Sequence, residues 1–325
     1  MSNSQPIRIA LFGYGAIADM HATALTKLGA TIVAVAGPRL EEVHVFADRH
    51  GIPRTESDVM ALVGDPGVEA ILVASPNDAH AGQVGAALQA GHHVLCEIPL
   101  ALDAGEARTL AAAATTRGKV LMVCHTLRYW DPLVAARRII EERSLVPCHV
   151  VARSLAFRHT NVGWTGRQRT WTDDLLWHHG AHVVDAATWL MGSQVVEVAS
   201  GSGPLGSDGR AMDYSISLRT DDGCVASIAL SYNARIATSD YMIVCDDDTL
   251  MIEGLTLSSH QNVLFEWSTS EDLLERAIRA QDEDFLSAVT SGSTPRSSAS
   301  AILPAMDVLQ RVHDQSATSG RSGEH

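Results

Sequence analysis

The chain has 325 residues, enough for two ordinary domains, and 46% of them are apolar, a usual share for a packed globular protein. Its formal net charge of −14 argues against a polyanionic partner such as nucleic acid. No apolar run approaches the roughly 20 residues needed to span a bilayer, and the polar start Met1–Pro6 lacks an apolar signal core, so no membrane role is expected. The five cysteines (Cys96, Cys124, Cys148, Cys224 and Cys245) are odd in number, scattered and free of any C-x-x-C spacing. That argues against a disulfide framework or a zinc ribbon and implies buried free thiols in the reducing cytoplasm.

Short β-branched runs at 7–12, 31–36, 70–74, 93–96 and 120–123 alternate with helical periodicity at 17–28, 40–49, 59–63, 79–90 and 104–116. Strands alternating with helices predict a parallel sheet covered on both faces, here an N-terminal Rossmann domain over 1–124. The character changes after Cys124. A helix is expected from Asp131 to about Glu142, then longer alternating segments at 148–157, 195–200, 212–219, 224–232, 241–244, 249–252 and 262–267. With helices at 175–191, 272–289 and 299–312, they predict a second α+β domain over 125–315, with a large, mostly antiparallel sheet. The Ser/Gly-rich end, 316–325, is expected to be disordered, and no internal repeat is visible.

The first strand runs into Gly13-Tyr14-Gly15-Ala16-Ile17-Ala18, a G-x-G-x-x-A between a strand and a helix. The first glycine permits the tight turn, the second lets backbone approach a pyrophosphate, and the alanine permits close helix–strand packing. The helix N-terminus then offers N–H groups to phosphates. A nicotinamide dinucleotide is the expected ligand. The second strand ends not in an acid for the ribose 2′-OH but in Gly37-Pro38-Arg39, which favours NADP because Arg39 can pair with a 2′-phosphate. NAD stays possible if Arg39 is a solvated helix-start residue and Glu41 or Glu42 turns back to the ribose.

Three further segments join the glycine turn: Ser75-Pro76-Asn77-Asp78-Ala79-His80, Glu97-Ile98-Pro99-Leu100-Ala101, and His178-His179-Gly180-Ala181-His182-Val183-Val184-Asp185. Over nearly its whole length the chain resembles the Gfo/Idh/MocA oxidoreductases, whose motifs are G-x-G-x-I-A-x-x-H, T-P-N-x-x-H, E-K-P and D-x-x-x-H-x-x-D. The resemblance implies that Gly13, Gly15, Ala16, Ile17, Gly37, Arg39, Ser75, Asn77, His80, Glu97 and Ile98 hold the cofactor, and that His182 is the catalytic histidine. His21 also matches a family position; His80 is read either as a contact to the nicotinamide ribose or amide, or as a packing group. Two departures stand out. The E-K-P lysine is Ile98, with only Lys27 and Lys119 elsewhere in the chain, and the first aspartate of the helix motif is His178. These departures, with His125-Thr126-Leu127-Arg128-Tyr129 and the run from Arg169 through Trp171 to His182, resemble one branch of the family. In that branch the cyclic hemiacetal of 4-carboxy-2-hydroxymuconate-6-semialdehyde is oxidised to 2-pyrone-4,6-dicarboxylate with NADP⁺, during breakdown of lignin-derived aromatics.

The residues also speak for themselves. His178 and His182 are four apart on an expected helix, with Asp185 three further on. Oxidising a C–OH needs a base for the hydroxyl proton, and imidazole suits neutral pH. With Ile98 in the lysine's place, His182 is the expected base, His178 hydrogen-bonds the substrate or shares the proton relay, and Asp185 is the third catalytic candidate. Core packing and a metal site compete with this reading, but no third ligand has convincing spacing and no metal is expected. The stretch 143–172 has no acid but carries Arg143, Arg153, Arg158, Arg167 and Arg169, which suits a carboxylated small-molecule substrate. Arg158, Arg169, Arg128 and His125 are the expected ligands, with Trp171 and Trp164 as candidate walls for a flat ring; solvated arginines paired with acids are the alternative, above all for Arg143 and Arg153. Asp246-Asp247-Asp248 reads as a turn. The resemblance further implies a homo-oligomer, dimer or tetramer, joined through the open face of the second sheet. Two other functions remain open: a sugar or polyol dehydrogenase, and a non-catalytic cofactor-binding sensor.

Overall fold

The computed structural model describes residues 5–160, 162, 174–206 and 209–319. The chain divides into two units: Met1–Thr126 with Glu275–Ile302, and Leu127–Leu274 with Leu303–His325.

In the first unit, strands β1 (Arg8–Phe12), β2 (Thr31–Ala36), β3 (Thr55–Glu56), β4 (Ala70–Val73), β5 (His93–Cys96) and β6 (Leu121–Val123) form one parallel sheet in the order β3-β2-β1-β4-β5-β6. Helices α1 (Ala16–Lys27), α2 (Leu40–His50), α3 (Met60–Val63), α4 (His80–Ala90) and α5 (Ala104–Arg117) connect the strands. Ile9, Leu11, Phe12, Ile71, Leu72, Val94 and Leu95 are fully buried, as continuous apolar runs in a sheet covered on both faces require. The strand order reverses between β1 and β4, the place where open α/β sheets leave a ligand crevice. The two-residue β3 was not foreseen: it is held by its pairing with Val35 and Ala36 and has no pattern of its own.

In the second unit, helix α6 (Asp131–Glu142) precedes β7 (Pro147–Phe157), and a π-helical turn (Leu176–Gly180) leads into α7 (Ala181–Met191). Strands β8 (Val195–Ser202), β9 (Asp213–Thr220), β10 (Val225–Ser231), β11 (Asn233–Cys245), β12 (Thr249–Glu253), β13 (Thr256–Ser258) and β14 (Val263–Glu266) complete an eight-stranded sheet in the order β14-β13-β12-β11-β7-β10-β9-β8. It is antiparallel except where β7 and β10 run parallel. Burial alternates along the strands. Tyr214, Ile216 and Leu218 are buried while Ser215 and Ser217 are exposed, the period-2 signature of a sheet with one covered face. Helix α7 packs on β7 and β10.

The last helices, α8 (Ser270–Ser291) and α9 (Ala299–Ser319), each contain residues of both units. Residues 275–302 therefore complete the first unit, where a contiguous division at 124/125 had been expected; Met122 bridges to Ser298, and the Val123 amide donates to the Ser297 carbonyl at 2.9 Å. Helix α9 also runs to Ser319, so residues 316–319 are helical rather than part of a disordered tail, and the rest of that tail lies outside the described residues. No described helix is long and apolar enough to cross a membrane. All five cysteines are free; four are buried as expected, but Cys148 is exposed at the start of β7.

Candidate active site

The cofactor motif is built on β1, β2 and β4. Gly13 adopts φ 109°, and its amide donates to the Ala36 carbonyl at 3.0 Å. A Cβ at Gly13 would collide with the backbone of Ala74, so only glycine satisfies both the turn and the close approach of β4. Gly15, the residue before α1, is the opposite case. A Cβ there would meet nothing within 4 Å, and no side chain caps the helix from this position. Open space beside uncapped N–H groups of Ala16 and Ile17 suits a pyrophosphate, and these residues therefore fit a dinucleotide.

Arg39 immediately precedes α2. Its guanidinium pairs with Glu42 at 2.9 Å and donates to the Tyr14 hydroxyl at 3.4 Å, which holds the arginine beside the glycine turn. A Cβ at Gly37 would strike the Tyr14 ring. Beyond β4, Ser75 donates to Gln83 at 2.6 Å, and Asn77 opens a 3-10 turn over Asn77–Ala79. His80 is buried, with Nδ1 2.8 Å from the Pro99 carbonyl and Nε2 2.9 Å from the Ser75 carbonyl. Both ring nitrogens face backbone, so His80 ties the loop after β4 to the loop after β5; this favours the packing reading over a ring nitrogen reaching the nicotinamide.

Glu97 follows β5 and anchors its amide on Val73 at 2.8 Å. Its Oε1 lies 2.9 Å from His21 Nε2, and its Oε2 accepts from the Ile98 amide at 3.2 Å. On the other side of the ring, His21 Nδ1 meets both carboxylate oxygens of Asp282, on α8, at 2.8 and 2.9 Å. Burial opposes a charge on His21, but the two carboxylates outweigh it and raise the imidazole to about 10. Burial likewise pushes Glu97 upward, and the His21 hydrogen bond and charge reverse this, holding the carboxyl below its ordinary value. Cys124 Sγ sits 3.8 Å from His21 Nε2, and burial raises its thiol well above the usual range, so it is an inert neighbour. The donor atoms of His21, Glu97 and Cys124 lie within 4.8 Å of one another. Ile98 is buried, and His125, just after β6, is buried as well.

The second unit carries the histidine motif. Asp174 accepts from the amides of Leu176 and Trp177 at 2.9 and 3.0 Å, starting the π-helical turn, and the Gly180 amide closes it on the Leu175 carbonyl at 2.8 Å. The expected helix from Leu175 thus opens with an extra residue in its first turn, an arrangement frequent at functional sites. His178 and His179 lie in that turn with ring centroids 4.9 Å apart, and the part-buried His182 follows in the first turn of α7. Arg158, just past β7, brings Nη1 to 3.5 Å from His178 Nδ1, 3.5 Å from His179 Nε2 and 3.2 Å from the Tyr232 hydroxyl. Its guanidinium lies 5.2 Å from the Tyr232 ring centre, and His179 meets that ring edge-on at 5.2 Å. His179 and Tyr232 were not foreseen, because Tyr232 closes an alternating strand and reads as core.

Other expectations resolve differently. Arg128 and Asp185 bind each other through two 2.8 Å hydrogen bonds, both buried. Arg128 was expected to reach the substrate and Asp185 to belong to the catalytic group; in the structure the two hold each other as a bidentate ion pair. Arg153 pairs with Asp240 and Arg143 with Asp248, as solvated arginines paired with acids would. Asp246–Asp248 form a turn, closed by the Cys245 amide on the Asp248 carbonyl at 2.8 Å. Arg169 and Trp171, with Arg167 and Trp164, lie outside the described residues.

Comparison with known proteins adds to this geometry. A family model described as "Oxidoreductase family, NAD-binding Rossmann fold" matches residues 7–125, and one described as "Bacterial oxidoreductases, C-terminal" matches residues 134–269. A 4-carboxy-2-hydroxymuconate-6-semialdehyde dehydrogenase of Sphingobium sp. (strain NBRC 103272 / SYK-6) is 30% identical over 312 residues, covering 95% of this chain and 98% of the relative. An inositol 2-dehydrogenase of Acidothermus cellulolyticus is 32% identical over 205 residues, 62% of this chain and 59% of the relative. Among solved structures, an oxidoreductase from Agrobacterium radiobacter in complex with NAD⁺, L-tartaric acid and magnesium superposes with a TM-score of 0.85 at 18% identity, covering 97% of each chain. A levoglucosan dehydrogenase in complex with NADH and levoglucosan gives 0.83 at 20% identity, covering 97% of this chain and 98% of that one. These last two likenesses concern the fold.

Proposed function

This chain belongs to the Gfo/Idh/MocA family of NAD-binding Rossmann oxidoreductases, NAD(P)-dependent dehydrogenases acting on CH–OH groups, and on that premise we propose that it oxidises the cyclic hemiacetal of a carboxylated semialdehyde. The substrate we infer is 4-carboxy-2-hydroxymuconate-6-semialdehyde, with 2-pyrone-4,6-dicarboxylate as product. The observation that carries this reading is Arg158 gathered with His178, His179 and the Tyr232 hydroxyl, because a guanidinium among imidazoles and a phenol suits a carboxylate. The near full-length likeness to the Sphingobium dehydrogenase supports it.

A nicotinamide dinucleotide held at the turn Gly13–Ile17 would supply the hydride acceptor for the hemiacetal carbon. His182 takes the hydroxyl proton, and His178 orients the hydroxyl or shares the proton. Ile98, buried and apolar, carries no proton, so the base is an imidazole. Arg158 and Arg169 orient carboxylates. NADP is the preferred cofactor because Arg39 stands beside the glycine turn; the Arg39–Glu42 pair supports NAD as a second reading, since Glu42 also offers a carboxylate for the ribose. The enzyme works in the cytoplasm, in aromatic catabolism, as a homodimer or homotetramer.

The test is hydride transfer by the purified protein with this semialdehyde, NADP⁺ against NAD⁺, beside an aldose and inositol. Turnover of the semialdehyde is expected; turnover of the sugars alone would transfer the proposal to a polyol dehydrogenase, and cofactor binding with no turnover to a sensor. His182→Ala should lower kcat by roughly 10²- to 10⁴-fold while cofactor affinity is kept. A near-normal kcat would remove His182 as the base.

A further inference from the structure

The first unit buries a chain of charges at the carboxyl end of β5. His21 and Asp282 are fully buried, whereas the Glu97 side chain keeps 14% of its surface exposed, so Glu97 is the end of the chain that reaches outward. His21 meets carboxylate oxygens at both ring nitrogens, at 2.8 and 2.9 Å. An imidazole can donate at both positions only as the imidazolium. Glu97 is therefore fixed from two directions, by this cation and by the Ile98 amide. Three separate elements, α1, the segment after β5 and α8, meet to hold one carboxylate.

The position of that carboxylate follows from the topology. A dinucleotide lies over the carboxyl ends of the strands, with its pyrophosphate at the turn after β1 and its adenosine ribose beside the end of β2. Its nicotinamide half then extends the other way, over β4 and β5, whose ends carry Ser75 and Glu97. The oxidised nicotinamide ring bears a positive charge and the reduced ring none. We propose that Glu97, held ionised and in place by His21 and Asp282, discriminates between the two redox forms of the cofactor and binds the oxidised form more tightly. His21 and Asp282 act as positioning residues. The other groups facing this chain are His80, engaged with the Pro99 and Ser75 carbonyls, and the thiols of Cys96 and Cys124, both raised by burial. The inference rests on cofactor binding alone and is independent of the substrate.

The test is the dissociation constant of NADP⁺, NADPH, NAD⁺ and NADH, by calorimetry or fluorescence, for the wild-type protein, Glu97→Gln and Asp282→Asn. Glutamine keeps the size of Glu97 and can still accept from His21, so the fold is preserved. Glu97→Gln should weaken the oxidised forms about tenfold and change the reduced forms by less than about twofold, as removal of one nearby charge requires. Asp282→Asn removes the partner that keeps His21 cationic. Its oxidised-to-reduced affinity ratio should then vary between pH 6 and 9, where the wild-type ratio stays flat. Equal weakening of both forms by Glu97→Gln, or no change, overturns the proposal, as does a flat ratio in Asp282→Asn. One zinc ion per purified wild-type chain, lost in Glu97→Gln, overturns it too, because His21, Glu97 and Cys124 would then surround a cation. A wild-type protein that bound neither form would fail the cofactor reading itself.

Discussion

At the scale of single residues, His21 gives the clearest pH signature. Folding lifts its pKa from 6.5 to about 10, so the folded state binds a proton more tightly than the unfolded chain. Its stabilising contribution is complete below pH 6.5 and is lost as the pH rises through about 10. The thermal midpoint of the wild-type protein should fall more steeply between pH 7 and 10.5 than that of His21→Gln, read by circular dichroism; parallel profiles would show that the charge is not gained on folding. The two sides of this residue differ in legibility. His21 and Glu97 stand in motifs that the sequence displays. Asp282 stands in none, and its one visible sign was a carboxylate on the buried side of a helix, next to the equally buried Gln281. Tyr232 gave no sign at all, because a tyrosine ending an alternating strand is ordinary core.

At the scale of elements, the pattern along the sequence identified most helices and strands but could not see features imposed from outside them. The π-helical turn arises where Asp174 caps the helix and Gly180 closes a five-residue ring, so periodicity alone reads Leu175–Met191 as one helix. β3 and β13, of two and three residues, exist through their neighbours' hydrogen bonds. The Arg128–Asp185 pair is another such feature, since each partner alone resembles a site residue. Its removal has a computable cost. Asp185→Ala removes two carboxylate hydrogen bonds from the buried Arg128 guanidinium and should destabilise the protein by about 3–5 kcal/mol in chemical denaturation. The doubly apolar Arg128→Met, Asp185→Leu variant should recover much of that loss. A small effect for the single variant would mean that water reaches the pair.

At the scale of the whole molecule, the parallel and mixed sheets follow from two different burial patterns, continuous in the first unit and alternating in the second. The division between units was harder to read, because α8 and α9 cross it with no change in composition. The second sheet leaves one face without α7. There Met242 pairs with Val151, Val151 with Ser227 and Ser227 with Ser217, a row turned away from buried Ile243, Val150 and Ile228. Self-association through this face predicts a mass of two or four chains by light scattering at micromolar concentration, reduced in Met242→Arg. A monomeric wild type would refute it. The crossing of α8 also has a consequence for how the protein is made. Asp282 meets His21 across 261 positions of sequence, and Ser298 pairs with Met122. On the ribosome the dinucleotide unit therefore cannot close behind its own N-terminal strands. It waits, with His21 facing Glu97 and no second carboxylate, until residues 275–302 have been made.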